Sequence, residues 1–276
     1  MESTTAPALG GRRSWRAYFG QEISRDWTDI ILLIGCFITG LLDSAIFNIW
    51  SCFVSMQTGT YTTHTTSRLA SDAPSGNTIY LGLGVAGQPP DNPWRWAKSG
   101  VSILSFVLGS YFFALYMRRS TPLKRSTLVI STLSQATLVF ISLLVSIVDI
   151  VPSDAGDLLP SNFIVLLPIS LLAAQAGGQC VLSRILGFGE IPSVVITMGY
   201  CDLAMDEKLW DVDNHKRNRR LGSVACFLVG AMLGGFMTKA GGIEGVLWVV
   251  LGTKVGMGVL WMVWSAEDEE GRVRLD

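Results

Sequence analysis

Asp43 and Lys254 each lie inside an apolar run long enough to cross a bilayer, Asp43 two-thirds along 28–50 and Lys254 near the middle of 244–264. A charge at that depth is costly, faces the interior of a helix bundle and is a functional candidate by default. Thr39 lies one turn before Asp43 on the same helix face, Asn48 lies further on, and Lys254 is too deep to snorkel easily to the interface. Three arrangements stay open: an Asp43–Lys254 ion pair that sets helix register, a coupling-ion or proton site, or two independent locations.

A second set of polar residues interrupts the apolar pattern. Gln57-Thr58-Gly59 with Asn77-Thr78 forms an amide- and hydroxyl-rich break, and Thr197 with Met198-Gly199 occupies the corresponding place in the second half of the chain. Broken segments expose backbone N–H and C=O groups, which membranes tolerate only where protein or a cavity satisfies them. Two interruptions in corresponding positions of inverted halves point to a transporter's site; the plainer reading is that Thr and Gly only pack helices. Gln175, Gln179 and Arg184 recur at helical spacing on another run, where Gln179 is the better candidate because an amide both donates and accepts. Arg184 reads as reaching the interface, and Pro168 is expected to kink the run. The candidate substrate- or ion-binding set is therefore Asp43, Gln57, Thr58, Gly59, Asn77, Gln179, Thr197 and Lys254.

The elements that must position these residues follow from composition. The chain is 49% hydrophobic and 16% charged, with mean hydropathy +0.42, whereas soluble domains carry roughly 25% charged residues. This is an all-α, polytopic membrane protein with nine Trp suited to interface anchoring. A bilayer core of about 30 Å needs about 20 apolar residues as helix. Six runs qualify: 28–50, 98–117, 126–149, 161–183, 221–240 and 244–264. Two weaker stretches, 51–59 with 77–87 and then 191–206, are read as broken or non-crossing.

Basic clusters at Arg12–Arg25, Arg118–Arg125 and Lys208–Arg220, against an acidic 149–160 loop, give cytoplasmic N- and C-termini by the positive-inside rule. Three crossings per half make the halves, 28–149 and 161–264, an inverted repeat. Residues 1–26 read as a disordered cytoplasmic segment and 265–276 as an acidic tail; 27–264 is one transmembrane domain. Gly230-x-x-x-Gly234, Gly252-x-x-x-Gly256, Ala173-x-x-x-Gly177 and Ala174-x-x-x-Gly178 allow close helix approach.

The near-neutral net charge of −1 implies no nucleic-acid partner. The five cysteines, without CxxC spacing, read as reduced apolar thiols; no metal or cofactor is implied. Lys216, Arg217, Arg219 and Arg220 set topology or contact anionic lipid headgroups. No HExxH, facing aspartates, Ser/His pair or nucleotide loop argues for an enzyme.

The segments Gly40-Leu-Leu-Asp43, Phe53–Gly59, Asn77–Gly84, Ala176-Gly-Gly-Gln179, Ile191–Thr197, Tyr200–Ala204 and Asn214–Arg220 together resemble the fungal branch of the YoaK-like family, multi-pass membrane proteins grouped as a domain of unknown function. The resemblance runs from Asp26 to Trp264 and implies architecture but no chemistry. It also exposes a departure. In the family pattern Gln-Thr-Gly continues directly into Asn-Thr, whereas here seventeen residues, Thr60 to Gly76, intervene. Seven of the ten residues Thr58–Ser67 are Thr or Ser. Seventeen codons are 51 nucleotides, the size of a short fungal intron, and back-translation permits donor, branch and acceptor sequences in order. The segment is read as a retained intron, or otherwise as a surface-loop insertion. The leading expectation is a small-solute secondary transporter with its site between the interrupted helices; the alternative is a non-catalytic membrane scaffold or lipid-interacting protein.

Overall fold

Bilayer-length apolar runs become helices because only helices satisfy every backbone group within one segment. The computed structural model describes residues 15–57, 76–87, 94–148, 151, 163–191, 196–211 and 213–267, with backbone alone for 196–198. The helices are α1 (Trp15–Phe19), α2 (Thr28–Trp50), α3 (Asn77–Val85), α4 (Arg95–Arg119), α5 (Arg125–Ile147), α6 (Leu166–Leu186, led in by a short 3-10 turn, Phe163–Val165), α7 (Ile196–Ala204) and α8 (His215–Val263). Five of them, α2, α4, α5, α6 and α8, are long and apolar enough to cross a membrane. The sequence suggested six runs; the last two are joined here in the 49-residue α8. That helix is broken internally at Gly241 and Gly242, whose dihedrals are non-helical, with φ of 77° at Gly242. Only glycine adopts such a φ freely.

Pro168 does not kink its helix. It is the third residue of a continuous α6, where the first-turn N–H has no intrahelical partner to lose.

Helix approach is set by small residues, since lipid tails supply no hydrophobic drive for helices to associate. A Cβ on Gly40 of α2 would run into the Phe227 carbonyl, one on Gly230 into the Phe37 carbonyl, and one on Gly234 into Leu41 and Ser44. These contacts advance in step along both chains, so α2 and the first part of α8 run parallel. A second parallel pair has the same device: Gly109 of α4 meets Ala174 of α6, and Gly177 meets Phe106 and Ser110. Gly252 and Gly256, in contrast, meet no atom within 4 Å, so that motif is not a packing seam within the described residues. The last part of α8 returns along α5, where Gly258 faces Leu133.

One end of the bundle is closed by polar clasps. Arg125 is buried and donates to Tyr18 O at 3.0 Å, Gln21 Oε1 at 3.2 Å and Trp264 O at 2.6 Å. Its guanidinium also lies 3.9 Å over the Tyr18 ring. Ser24 N donates to Ser265 O and Glu267 N to Glu22 O, both at 3.0 Å. Residues 15–26, expected to be disordered, are therefore docked on the bundle, as are the first residues of the tail; 1–14 and 268–276 lie outside the described residues. Arg219 joins the same end through Asp29 at 2.9 Å and Glu190 at 3.2 Å. All three basic segments thus meet at the end where α2 begins.

Gly230→Val should overpack the α2–α8 seam and lower stability by about 1–3 kcal/mol, while Gly252→Ala should not lower it, since its Cβ meets open space and Ala is the better helix former. Thermal unfolding of the purified variants in detergent checks both.

Candidate functional site

At the far end, α2 stops at Trp50 and the chain runs on without helix to Gln57. Two cations receive the helix's last carbonyls: Lys98 Nζ donates to Trp50 O at 3.2 Å and Arg95 Nε to Ser51 O at 3.1 Å. The peptide N–H groups that follow have no helix to accept them. Asp43 supplies the acceptors. Its Oδ1 takes the N–H of Val54 at 2.9 Å and of Ser55 at 3.0 Å, and its Oδ2 takes the Met56 N–H at 3.1 Å and the Ser55 hydroxyl.

Asn77 closes the other side of the break. Its Oδ1 accepts from Phe53 N at 3.2 Å, and its Nδ2 donates to Phe53 O at 2.7 Å and Gln57 Oε1 at 2.8 Å. Gln57 Nε2 donates in turn to Val54 O at 3.1 Å and Ser102 Oγ at 3.2 Å. The nine-residue α3 then packs along the start of α4. At about 14 Å it is too short to span a bilayer.

The Asp43–Lys254 pair considered from sequence is not formed: the carboxylate already accepts four hydrogen bonds from the break. Lys254 occupies a separate centre and is fully buried. Its Nζ donates to Gln135 Oε1 of α5 and Gln179 Oε1 of α6, each at 2.7 Å. Gln179 Nε2 donates to Gly35 O at 2.8 Å and Thr39 Oγ1 at 2.9 Å on α2, and Thr39 donates to Gly35 O at 3.0 Å. Four helices therefore meet at one polar cluster. Lys254 lies eleven residues beyond Ile243 on α8, about 16 Å along a helix of ordinary rise. Gln135 and Thr39 are likewise near the middle of their helices. The hydrogen bonds tie α2, α5, α6 and α8 together in the bundle interior, and no group in the cluster is set up as a nucleophile beside a base.

Gln135 was absent from the sequence-derived set. A buried amide in mid-span carries the same signal as Gln179, but α5 holds so many Ser and Thr residues that it did not stand out. Thr58 and Gly59 lie outside the described residues; Thr197 is in α7, where only its backbone is described. The two interruptions do not share a site. The first follows the end of α2, whereas α7 lies between the end of α6 and the start of α8, at the opposite end of the bundle. The Lys254 cluster sits between them.

The basic run beside α7 is largely paired internally. Arg217 donates to Leu209 O at 2.6 Å and Asp211 O at 2.7 Å, Arg219 pairs with Asp29 and Glu190, and Arg220 with Asp206 at 3.0 Å. Lys216 is exposed. Partial desolvation of the Asp206 carboxyl opposes its ionisation, but hydrogen bonds from Asn214 and the Lys208 N–H, with the charges of Arg220 and Arg217, hold it below the usual carboxylate range. These partners account for three of the four cations proposed from sequence to meet anionic lipid. The five cysteines are unpaired, and no His/Cys/Asp/Glu cluster among the described residues could hold a metal.

Asp43→Asn places an N–H₂ against backbone donors and leaves buried N–H groups without acceptors. A loss of about 3 kcal/mol or more is expected, read as a lowered midpoint of thermal unfolding. A variant that unfolds like the wild type would show that Asp43 does not hold the break.

No curated protein and no solved structure matches the chain. A family model described as a protein of unknown function, DUF1275, matches residues 65–260. With most of its length inside that match and five helices fit for a bilayer, the chain belongs to the DUF1275 family.

Proposed function

We propose that the protein is a secondary transporter of a small solute, not an enzyme, whose site is the Lys254 cluster. The observation that carries this reading is a buried polar centre at mid-depth, built by α2, α5, α6 and α8, with an interrupted segment at each end of the bundle. Six crossings arise when α8 is taken as two spans meeting at Gly241–Gly242. The halves, 28–149 and 161–264, then run span, short helix, span, span, with α3 and α7 nine residues each. Inverting one half onto the other exchanges α2 with α6 and α4 with the first part of α8. The glycine-lined parallel pair α2–α8 thereby maps onto the glycine-lined parallel pair α4–α6. Inverted halves around a midplane site are how alternating access is built. Collection of the basic segments at one end supports cytoplasmic termini.

Gradient-driven uptake by proteoliposomes, screened over small anions, amino acids and sugars, tests the reading. One solute class should be taken up, and Lys254→Met should reduce that uptake at least tenfold. Vesicles containing folded protein that move none of the panel would remove transport. A scaffold or lipid-binding role would then stand, on the evidence of a groove of about 480 Å³ lined only by Ile30, Leu33, Ile34, Phe37, Ala225, Cys226 and Val229.

We also infer that residues 60–76 are an insertion foreign to the fold, as a retained intron would be. Its flanks are bonded to each other: Thr78 N and Oγ1 donate to Gln57 O at 2.9 and 2.6 Å, and Asn77 N approaches Met56 O at 3.5 Å. With 60–76 removed and Gly59 joined to Asn77, the two backbone bonds become i→i+4 bonds, the spacing of a helical turn. Gly59 would also replace Gly76, whose φ of 113° favours glycine and whose carbonyl accepts the first bonds of α3. Deletion of 60–76 should leave the fold intact and raise stability by about 2 kcal/mol from the shorter loop. Sequencing the mature transcript decides the intron: a message encoding the segment overturns it.

A further inference from the structure

An ammonium group only donates hydrogen bonds. Both glutamines that meet Lys254 must therefore turn their oxygens toward it and their nitrogens away. The Gln179 nitrogen finds Gly35 O and Thr39 Oγ1. The Gln135 nitrogen finds nothing: Nε2 is buried, on a residue 1% exposed, with no hydrogen-bond partner among the described residues. One turn earlier on α5 the hydroxyls of Ser131 and Thr132 are also buried and unpartnered. Gln175, one turn before Gln179, leaves its Oε1 unpartnered. Lys254 itself uses two of its three protons on the amides. None of the salt bridges among the described residues reaches it.

The cluster thus holds an unpartnered amide N–H₂ beside an ammonium that has no counter-charge among the described residues. A buried charge without a counter-charge is costly, and Asp43, the acidic residue that could have served, is engaged by the break. A guest that accepts hydrogen bonds and carries one negative charge would satisfy Lys254 and the Gln135 amide together. We propose that the Lys254 centre is a binding site for a small monovalent anion, held between the Lys254 ammonium and the Gln135 N–H₂. This names the solute class of the transport reading and rests on it.

The test uses the full chain in lipid nanodiscs, with thermal unfolding followed in sodium chloride, nitrate or formate against sodium gluconate at constant ionic strength. Wild-type protein should show a saturable rise of several degrees with the small anions. Lys254→Met should abolish the rise. Gln135→Glu should abolish it too, because its carboxylate takes the anion's place, and this variant in gluconate should melt at or above wild type. Gln135→Glu carries the test should Lys254→Met fail to fold. A flat wild-type response, or a rise that persists in both variants as it would for anions on the surface, overturns the site. Proteoliposome flux separates this from the transport reading. Anion-dependent stabilisation without flux keeps the site and removes transport, while solute flux without an anion effect removes the site and keeps transport.

Discussion

Inside a bilayer a peptide N–H without an acceptor has no water to turn to, and the chain after Trp50 presents three in succession. The Asp43 carboxylate accepts all three, together with the Ser55 hydroxyl. Much else depends on that arrangement. It lets α2 end while the chain is still among helices, and it carries residues 51–57 to Asn77, whose amide satisfies the Phe53 backbone from the other side. The break then allows α3 to lie against α4 as a short cap. Removing the carboxylate would release a segment with no second way to satisfy its backbone.

Seen this way, the two deep charges have different duties. Asp43 solvates backbone near the end of α2, whereas Lys254 is solvated by side-chain amides from α5 and α6 in mid-bundle. The difference matters for function. A carboxylate with all its acceptor capacity used by its own chain has little left to offer a solute. Lys254 is held by two neutral amides with no carboxylate beside it among the described residues, and the Gln135 N–H₂ next to it has no partner there. Polar centre and glycine-lined seams are linked mechanically as well. Gly40 and Gly230 let α2 and α8 approach backbone to backbone, and Gly35, one turn before Thr39, lets the Gln179 amide lie against the α2 backbone at 3.1 Å from where a Cβ would stand.

The basic segments show how charge can mark topology while being neutralised locally. Arg125 opens α5 while Arg219 and Arg220 lie side by side near the start of α8, and each is absorbed by carbonyls or carboxylates of neighbouring elements. Their positions still report which ends face the same side. Of Lys216, Arg217, Arg219 and Arg220, only Lys216 is exposed, because the guanidinium forks that would grip a headgroup are already occupied.

The sequence by itself determined the membrane class, the all-helical fold, the bounds of α2 within a residue, and the short interrupted stretches after α2 and α6, since apolar length and Gly/Thr interruptions act locally. It also marked Asp43, Gln57, Asn77, Gln179 and Lys254 as polar groups in apolar surroundings, because desolvation cost depends on depth and depth follows from run length. Which of these groups meet was decided by tertiary structure alone. Nothing local distinguishes an Asp43 that pairs with Lys254 from one that binds residues eleven to thirteen positions later. Gln135 gained its importance only when α5 packed against α8. Pro168 lost its expected kink because the start of α6 falls just before it, and Gly252-x-x-x-Gly256 remained an open face while Gly230-x-x-x-Gly234 became a seam. A motif states what a helix face permits; the partner that uses it comes from elsewhere in the chain, and only the packed bundle brings that partner into contact.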